Sequence, residues 1–322
     1  MDYVIGIDVG GTNIVGALLD QEGQVLWSKH ISTEAKLGVN GVIGRIVSLV
    51  RDVAEGSGKQ LNDILAVGIG TPGLVDPIQG ISLLSVNLEW KDVPLAALVS
   101  AELGIPVYVD NDVKMYIFGE AAKGAGANYK HVFGITLGTG LAAAYIENGE
   151  IIGGAGNLAG ELGQVLISGI DAEGTGETLL PLEKVVSATG IADQAKRAIE
   201  AGDQGWLAQH YAAHGGVTAK NVSEAYDAGD ETARGIMDHT GRVLGRALAW
   251  VIPMLSPDVI IIGGGAAYAG ERLLAPMRDE LQHKLTPLYH NRYDIHIAHN
   301  VDNAGVIGSG LRALALAKKA DN

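Results

Sequence analysis

The chain has 322 residues, 47% of them hydrophobic, and 46 glycines, enough to bury a large core in about two domains. Lys and Arg number 23 against 37 Asp and Glu, a formal charge of −14; with no basic patch, this argues against nucleic acid and anionic membrane surfaces as partners. The absence of cysteine excludes disulfides, thiolate catalysis and Cys-ligated zinc or iron–sulfur centres.

No charged N-terminal region backed by an apolar core reads as a signal peptide. No apolar run is long enough to span a bilayer, so the expected compartment is the cytoplasm. The apolar segments 3–9, 14–20 and 24–31 predict an antiparallel meander that turns at Gly10-Gly11 and Glu22-Gly23. Val39, Val42, Ile43, Ile46, Val47, Val50 and Val53 recur at helical spacing and predict a helix over 39–55. Ile64 to Ile69 reads as a buried strand, and Asp76-Pro77 with Gly80 reads as loop. A helix is expected over 94–103, with Pro94 near its first turn and Gly104 at its end. A short strand at 107–109 and a helix over 112–123 follow.

The pattern then restarts. A strand at 132–137, the turn Gly138-Thr139-Gly140 and a strand at 141–146 echo residues 4–19, a weak internal repeat with a boundary near 115–130. Helices are expected over 183–201, 205–214, 230–255 and 271–285. The strand Val259 to Ile262 ends in Gly263-Gly264-Gly265, and a last helix over 303–319 carries lysines at its C-terminus, where they suit the dipole.

Three motifs mislead. Gly68-Ile69-Gly70-Thr71-Pro72-Gly73 matches a dinucleotide fingerprint, but Pro72 and the following Asp76-Pro77 oppose the helix that must start there. Gly56-Ser57-Gly58-Lys59-Gln60 resembles part of a P-loop, yet Gln60 replaces the magnesium-binding hydroxyl and no strand precedes it. His210 and His214 share a helical spacing, but Tyr211 stands where a zinc protease has its Glu, so they read as a plain helical pair.

Chemistry gathers elsewhere. In Asp8-Val9-Gly10-Gly11-Thr12-Asn13, adjacent glycines let backbone N–H groups approach an anion, and Asp8 suits a hydrated cation. An ordinary hairpin explains the same residues. Similar glycine turns recur at 138–140 and 263–265. Asp110-Asn111-Asp112 ends a strand, where α/β proteins tend to place their sites; helix capping by Asp112 is the plainer reading. Glu161 lies in a polar turn, and Glu183 opens a helix, where a carboxylate also suits the dipole.

Eight segments in register carry a resemblance over nearly the whole chain. They are Ile7 to Asn13, Gly68 to Gly73, Asn87 to Leu95, Val109 to Asp112, Leu137 to Gly140, Gly160 to Gly163, Pro257 to Gly265 and Asp302 to Gly308. In this order they resemble the ROK family of bacterial sugar kinases, within the actin-like ATPase superfamily. The resemblance implies an α/β, two-domain actin-like ATPase (ribonuclease H-like) fold with an active-site cleft between the domains. A small domain would cover 1–118, with the helix 303–319 packed back on it, and a large domain 119–302.

It further implies an ATP- and Mg2+-dependent kinase for the 6-hydroxyl of a hexose, with glucose the leading substrate. Asp112 resembles the catalytic base. Asp8, Gly10, Gly11, Thr12 and Asn13 would form the first phosphate loop, with Asp8 orienting the metal through water, and Gly138, Thr139 and Gly140 the second. Gly263, Gly264 and Gly265 would lie beside the adenosine. Gly73, Asn87, Asn111, Asp112, Glu161, Gln164 and Glu183 would line the sugar site. A homodimer is implied as well.

Two departures stand out. Gln164 replaces the usual His, and residues 169–182 replace a cysteine-rich zinc motif, so no structural zinc is expected. Lys114 stands where the family more often has a small or amide residue; of two readings, a place near the base that lowers its pKa or a side chain pointing to solvent, the second is expected. The alternatives are a kinase for mannose, fructose or an N-acetyl or amino hexose, a non-enzymatic ROK-type sugar-responsive regulator, and an actin-like or chaperone ATPase. A regulator would need an N-terminal helix-turn-helix region, and here the phosphate strand starts at residue 3. The carboxylate set disfavours the ATPase reading.

Overall fold

The computed structural model describes residues 2–170, 177–299 and 303–320. In chain order the main elements are β1 (Tyr3–Val9), β2 (Asn13–Leu19), β3 (Val25–Ser32), α1 (Gly38–Gly56), β4 (Ile64–Thr71), β5 (Leu74–Asp76), β6 (Ile81–Ser85), β7 (Trp90–Val93), α2 (Leu95–Leu103), β8 (Val107–Asn111) and α3 (Asp112–Lys123). They continue with β9 (His131–Leu137), β10 (Leu141–Glu147), β11 (Glu150–Ile151), β12 (Leu166–Ile170), β13 (Glu177–Pro181), α4 (Glu183–Val186), α5 (Ala188–Glu200), α6 (Trp206–His214), α7 (Ala219–Asp227), α8 (Glu231–Leu255), β14 (Val259–Gly263), α9 (Glu271–Lys284), β15 (Asp294–Ile297) and α10 (Ala304–Ala320). Two five-stranded sheets run β3-β2-β1-β4-β8 and β11-β10-β9-β14-β15, with a hairpin β12-β13 and a small sheet β5-β6-β7 beside them.

The chain forms two compact units. The first holds residues 1–132, 144–159 and 298–322, and the second 133–143 and 160–297. The expected boundary at 118 falls inside α3, which runs unbroken to Lys123.

In the first unit, β1 to β3 pair antiparallel, as the meander predicts, and β1, β4 and β8 pair parallel. Alternation along β1 sorts its side chains to two faces. Ile5, Ile7 and Val9 join the core that holds Val42, Ile46 and Val50 of α1, while Val4 packs with Val306 and Leu314 of α10. The eight buried apolar residues of α1 are each worth about 1.5–3 kcal/mol against exposure for the larger side chains. The α10 side of the sheet is stripped of side chains where the helix crosses it: a Cβ on Gly68 would lie 1.8 Å from the Ser309 carbonyl oxygen. The parallel register sets Asp8 beside Gly70 and Gly70 beside Asp110. The C-terminal ends of three strands therefore bring two of the chain's carboxylates to one edge.

The loop expected around Asp76-Pro77 is a turn between two short strands, β5 and β6. The Asp76 side chain accepts the Ile78 and Gln79 N–H groups, both at 3.0 Å. Strands of three to five residues carry too little periodicity to be read from sequence.

In the second unit the expected helix 183–201 is two helices. Ser187 adopts extended backbone (φ −74°, ψ 166°) and its hydroxyl accepts the Gly190 N–H at 3.1 Å, ending α4 and capping α5. A helix not expected, α7, starts with a cap in which the Thr218 hydroxyl accepts the Asn221 N–H. The hairpin β12-β13, β11 and β15 were likewise not evident in the sequence. The long helix α8 opens with Asp230, which accepts the Ala233 N–H at 2.8 Å, and packs along α9. Among the described residues, no helix is long and apolar enough to cross a membrane.

Candidate active site

The first unit assembles its candidate residues at the ends of β1, β4 and β8 and the start of α3. After Val9 the chain turns through residues 10–13, closed by the Gly10 N–H to the Asn13 carbonyl at 2.8 Å. Buried Thr33 pins this loop from behind: its hydroxyl donates to the Gly10 carbonyl at 2.7 Å, and its N–H to the Thr12 carbonyl at 2.8 Å. Gly11, Thr12 and Asn13 are exposed. Asn87 lies against the loop, since a Cβ on Gly11 would sit 3.4 Å from its Cβ.

Asp8 packs on the first turn of α10; a Cβ on Gly305 would come within 2.4 Å of its Oδ2. A helix N-terminus favours a carboxylate there. Burial nevertheless pushes the Asp8 carboxyl up to about 7, with the nearby Asp112 charge raising it further. Asp112 is pushed up to about 6, again by burial, against the lowering effect of the Val113 N–H that its Oδ1 accepts at 2.9 Å.

Asn111 caps α3, its Oδ1 accepting the Lys114 N–H at 3.1 Å, while its Nδ2 donates to the Gly73 carbonyl at 2.9 Å. One amide hydrogen and one lone pair of Asn111 remain for a ligand. Lys114 does not point to solvent. It is 3% exposed, and its Nζ donates to both the carbonyl and the Oδ1 of Asn157, each at 2.6 Å. Asn157 in turn donates through Nδ2 to Asp110 at 2.8 Å and to the Val75 carbonyl at 3.1 Å. The sequence offers one signal for Asn157: a lone asparagine in a run of glycines.

The second unit assembles the other group. The turn 138–140 closes through the Gly138 N–H to the Gly140 carbonyl at 3.0 Å, and the Ala188 N–H holds it at the Gly138 carbonyl, 2.8 Å away. Glu183 lies against it. A Cβ on Gly140 would come within 2.7 Å of Glu183 Oε2, which also faces the Leu141 N–H at 3.4 Å. Gln164 Nε2 reaches Glu183 Oε1 at 3.4 Å. The hairpin sets this pair: Leu166 faces Pro181, and the Leu182 N–H donates to the Val165 carbonyl at 2.8 Å, so continued register brings Gln164 opposite Glu183. Glu161 is exposed at the head of the same turn, its carbonyl accepting the Gln164 N–H at 3.1 Å. Gly264 (φ +80°) packs on the Leu137 backbone, which links the 263–265 turn to the 138–140 turn.

Beside Gly265 lies a cavity of about 510 Å³, lined by Ile191, Met237, Ala266 and Tyr268 and edged by Lys220 and Arg272. Arg272 stiffens its wall, donating to Asp227 at the end of α7 and to the Ala269 carbonyl at 2.9 Å. His210 and His214 stack on each other with centroids 4.3 Å apart. No group of three or more His, Cys, Asp or Glu able to hold a metal occurs among the described residues. Asp302 and residues 171–176 of the segment replacing the zinc motif lie outside the described residues.

Two α/β units that each end strands in glycine turns define an actin-like ATPase fold. The superposition with a ROK family glucokinase from Streptomyces griseus, solved in complex with glucose and AMPPNP, has a TM-score of 0.77 and 28% identity over 97% of this chain and 99% of that one. The ROK family model matches residues 4–320, and the chain belongs to the ROK family. It is 36% identical to a glucokinase from Halalkalibacterium halodurans over 96% of this chain and 94% of that protein. It is 30% identical to a glucokinase from Thermotoga maritima over 95% of each.

Proposed function

We propose that this protein is an ATP-dependent hexose kinase that phosphorylates the 6-hydroxyl of glucose. Asp112 carries the reading. At the first position of α3, half-buried and with a carboxyl pushed up to about 6 by desolvation, it is ionised at neutral pH yet basic enough to take a hydroxyl proton. As the sugar O6 bonds to the γ-phosphorus and the bond to the ADP oxygen breaks, that proton passes to Asp112. Little covalent work falls to the protein; positioning and neutralisation of the phosphate oxygens dominate.

Asp8 fits a water-mediated magnesium site, because a dication relieves a buried carboxylate that already sits beside Asp112. When bound, magnesium would screen the phosphate oxygens, leaving the chain only one carboxylate to supply. In this reading the loop Gly11, Thr12 and Asn13 and the turn Gly138 to Gly140, whose Thr139 is exposed and whose Gly138 N–H is used in closing the turn, receive phosphate, and Gly263 to Gly265 with the adjoining cavity receive the adenosine. Gly73, Asn87, Asn111, Glu161, Gln164 and Glu183 are the proposed sugar residues. Support comes from the relatives' activities and from the residual hydrogen-bonding capacity of Asn111. We propose further that the protein works as a cytoplasmic homodimer and without structural zinc.

A coupled assay with a panel of hexoses tests the reading: magnesium-dependent ADP release is expected, fastest with glucose. Release with another hexose only would reassign the substrate. Sugar binding with no ADP release would replace the kinase by a sugar-responsive regulator.

A further inference from the structure

We propose that Asn157 and Lys114 form a latch that positions the candidate base Asp112, an inference that rests on the kinase reading above. Asn157 sits at φ +58°, among Gly153, Gly154 and Gly156. Asparagine is one of the few residues besides glycine that adopt that conformation readily, and here it also brings a side chain that the backbone alone does not require. All of its polar groups named above are engaged. Both Nδ2 hydrogens are spent, one on Asp110 and one on the Val75 carbonyl, and its two oxygens accept the Lys114 ammonium.

Lys114 is as unusual. It stands in the first turn of α3, where the dipole disfavours a cation, and it is buried, which lysine tolerates only with good partners. Both costs are met in order to join α3 to Asn157. The result is a closed ring. Asp110 ends β8 and Lys114 lies in the first turn of α3, and one asparagine holds both. Asn111 and Asp112 are the residues pinched between them. Asp110 reinforces the ring, since the Oδ1 that takes the Asn157 amide also accepts the Asn111 N–H at 2.7 Å. Asn157 and Lys114 touch no reacting atom; they are positioning residues that fix where Asp112 and the free capacity of Asn111 point. Displacing such a group by about 1 Å can cost on the order of 100-fold in rate.

Two variants test the latch, with the wild-type chain assayed beside them for glucose phosphorylation. Asn157→Gly removes the side chain and suits the backbone. Asn157→Asp keeps an acceptor for Lys114 but loses the donor to Asp110. If the residue acts by positioning, both variants melt cooperatively, both lose about tenfold or more in kcat, and KM for ATP stays within about twofold. A purely structural role predicts another pattern: Asn157→Asp, which sets a second carboxylate against Asp110, would melt at a lower temperature but keep wild-type kcat where folded. That result, or wild-type kcat in folded Asn157→Gly, would overturn the latch. A wild-type chain that phosphorylates no hexose would instead overturn the kinase reading and the latch with it.

Discussion

Asp112 and Asp8 are the residues on which the chemistry turns, and both carry the cost of burial. General-base catalysis is worth about 10²–10⁴-fold, so Asp112→Asn is expected to lose that much kcat while folding normally, measured in the coupled assay. The base must be unprotonated to act. With its carboxyl near 6 and that of Asp8, which must be ionised to hold magnesium, near 7, kcat/KM should therefore begin to fall as pH drops through about 7, steepen through about 6, and level off only above about 7.

The same shifts run the other way for stability. Both acids hold protons more tightly folded than unfolded, from 3.8 up to about 7 and about 6. Their ionisation thus destabilises the native state as pH rises between those limits. Urea unfolding of the ligand-free protein should show these groups contributing more stability near pH 5 than near pH 7.5, and Asp112→Asn should raise the neutral-pH Tm by roughly 2–5 °C. A lower Tm in that variant would mean that the carboxylate is held by more partners than the structure gives it. The triplet Asp110-Asn111-Asp112 was legible in sequence because a short apolar strand runs straight into it. The fate of Lys114 was not, because its partner Asn157 is 43 residues away and nothing local distinguishes a buried lysine from a solvated one.

The hairpin β12-β13 does at the scale of an element what no single residue does. Its register brings Gln164 and Glu183 face to face, so a one-residue deletion in β13, such as Leu179, shifts the pairing and turns alternate side chains over. Glucose KM should then rise by about tenfold or more while ATP KM changes little, since the cavity beside Gly265 is built from other elements. Equal loss of both affinities would show that the hairpin supports the whole unit. The hairpin was not readable because its strands lack clean alternation. The helix α7, which lines the cavity, was missed because its cap is Thr218 with Asn221 rather than the usual Glu or Gln three residues on. The break at Ser187 did have a local signal, a serine with an N-cap's chemistry, hidden inside a run of helix-forming residues on both sides.

For the whole molecule, charge and family agree. A net charge of −14 without a basic patch predicts no specific retention of duplex DNA at physiological salt, checked by filter binding with and without sugar. Sugar-dependent DNA binding would favour the regulator. The sequence by itself determined the strands of the first unit's five-stranded sheet and its long helices, the three glycine turns and the family, because long helices and strand–turn–strand units write themselves in local periodicity and in turn residues. Only the tertiary structure decided which carboxylates share an edge, that Lys114 is buried on Asn157, and that Gln164 meets Glu183. Those facts depend on register and on contacts between distant segments, and burial, which sets the protonation of Asp8 and Asp112, exists only once the chain has packed.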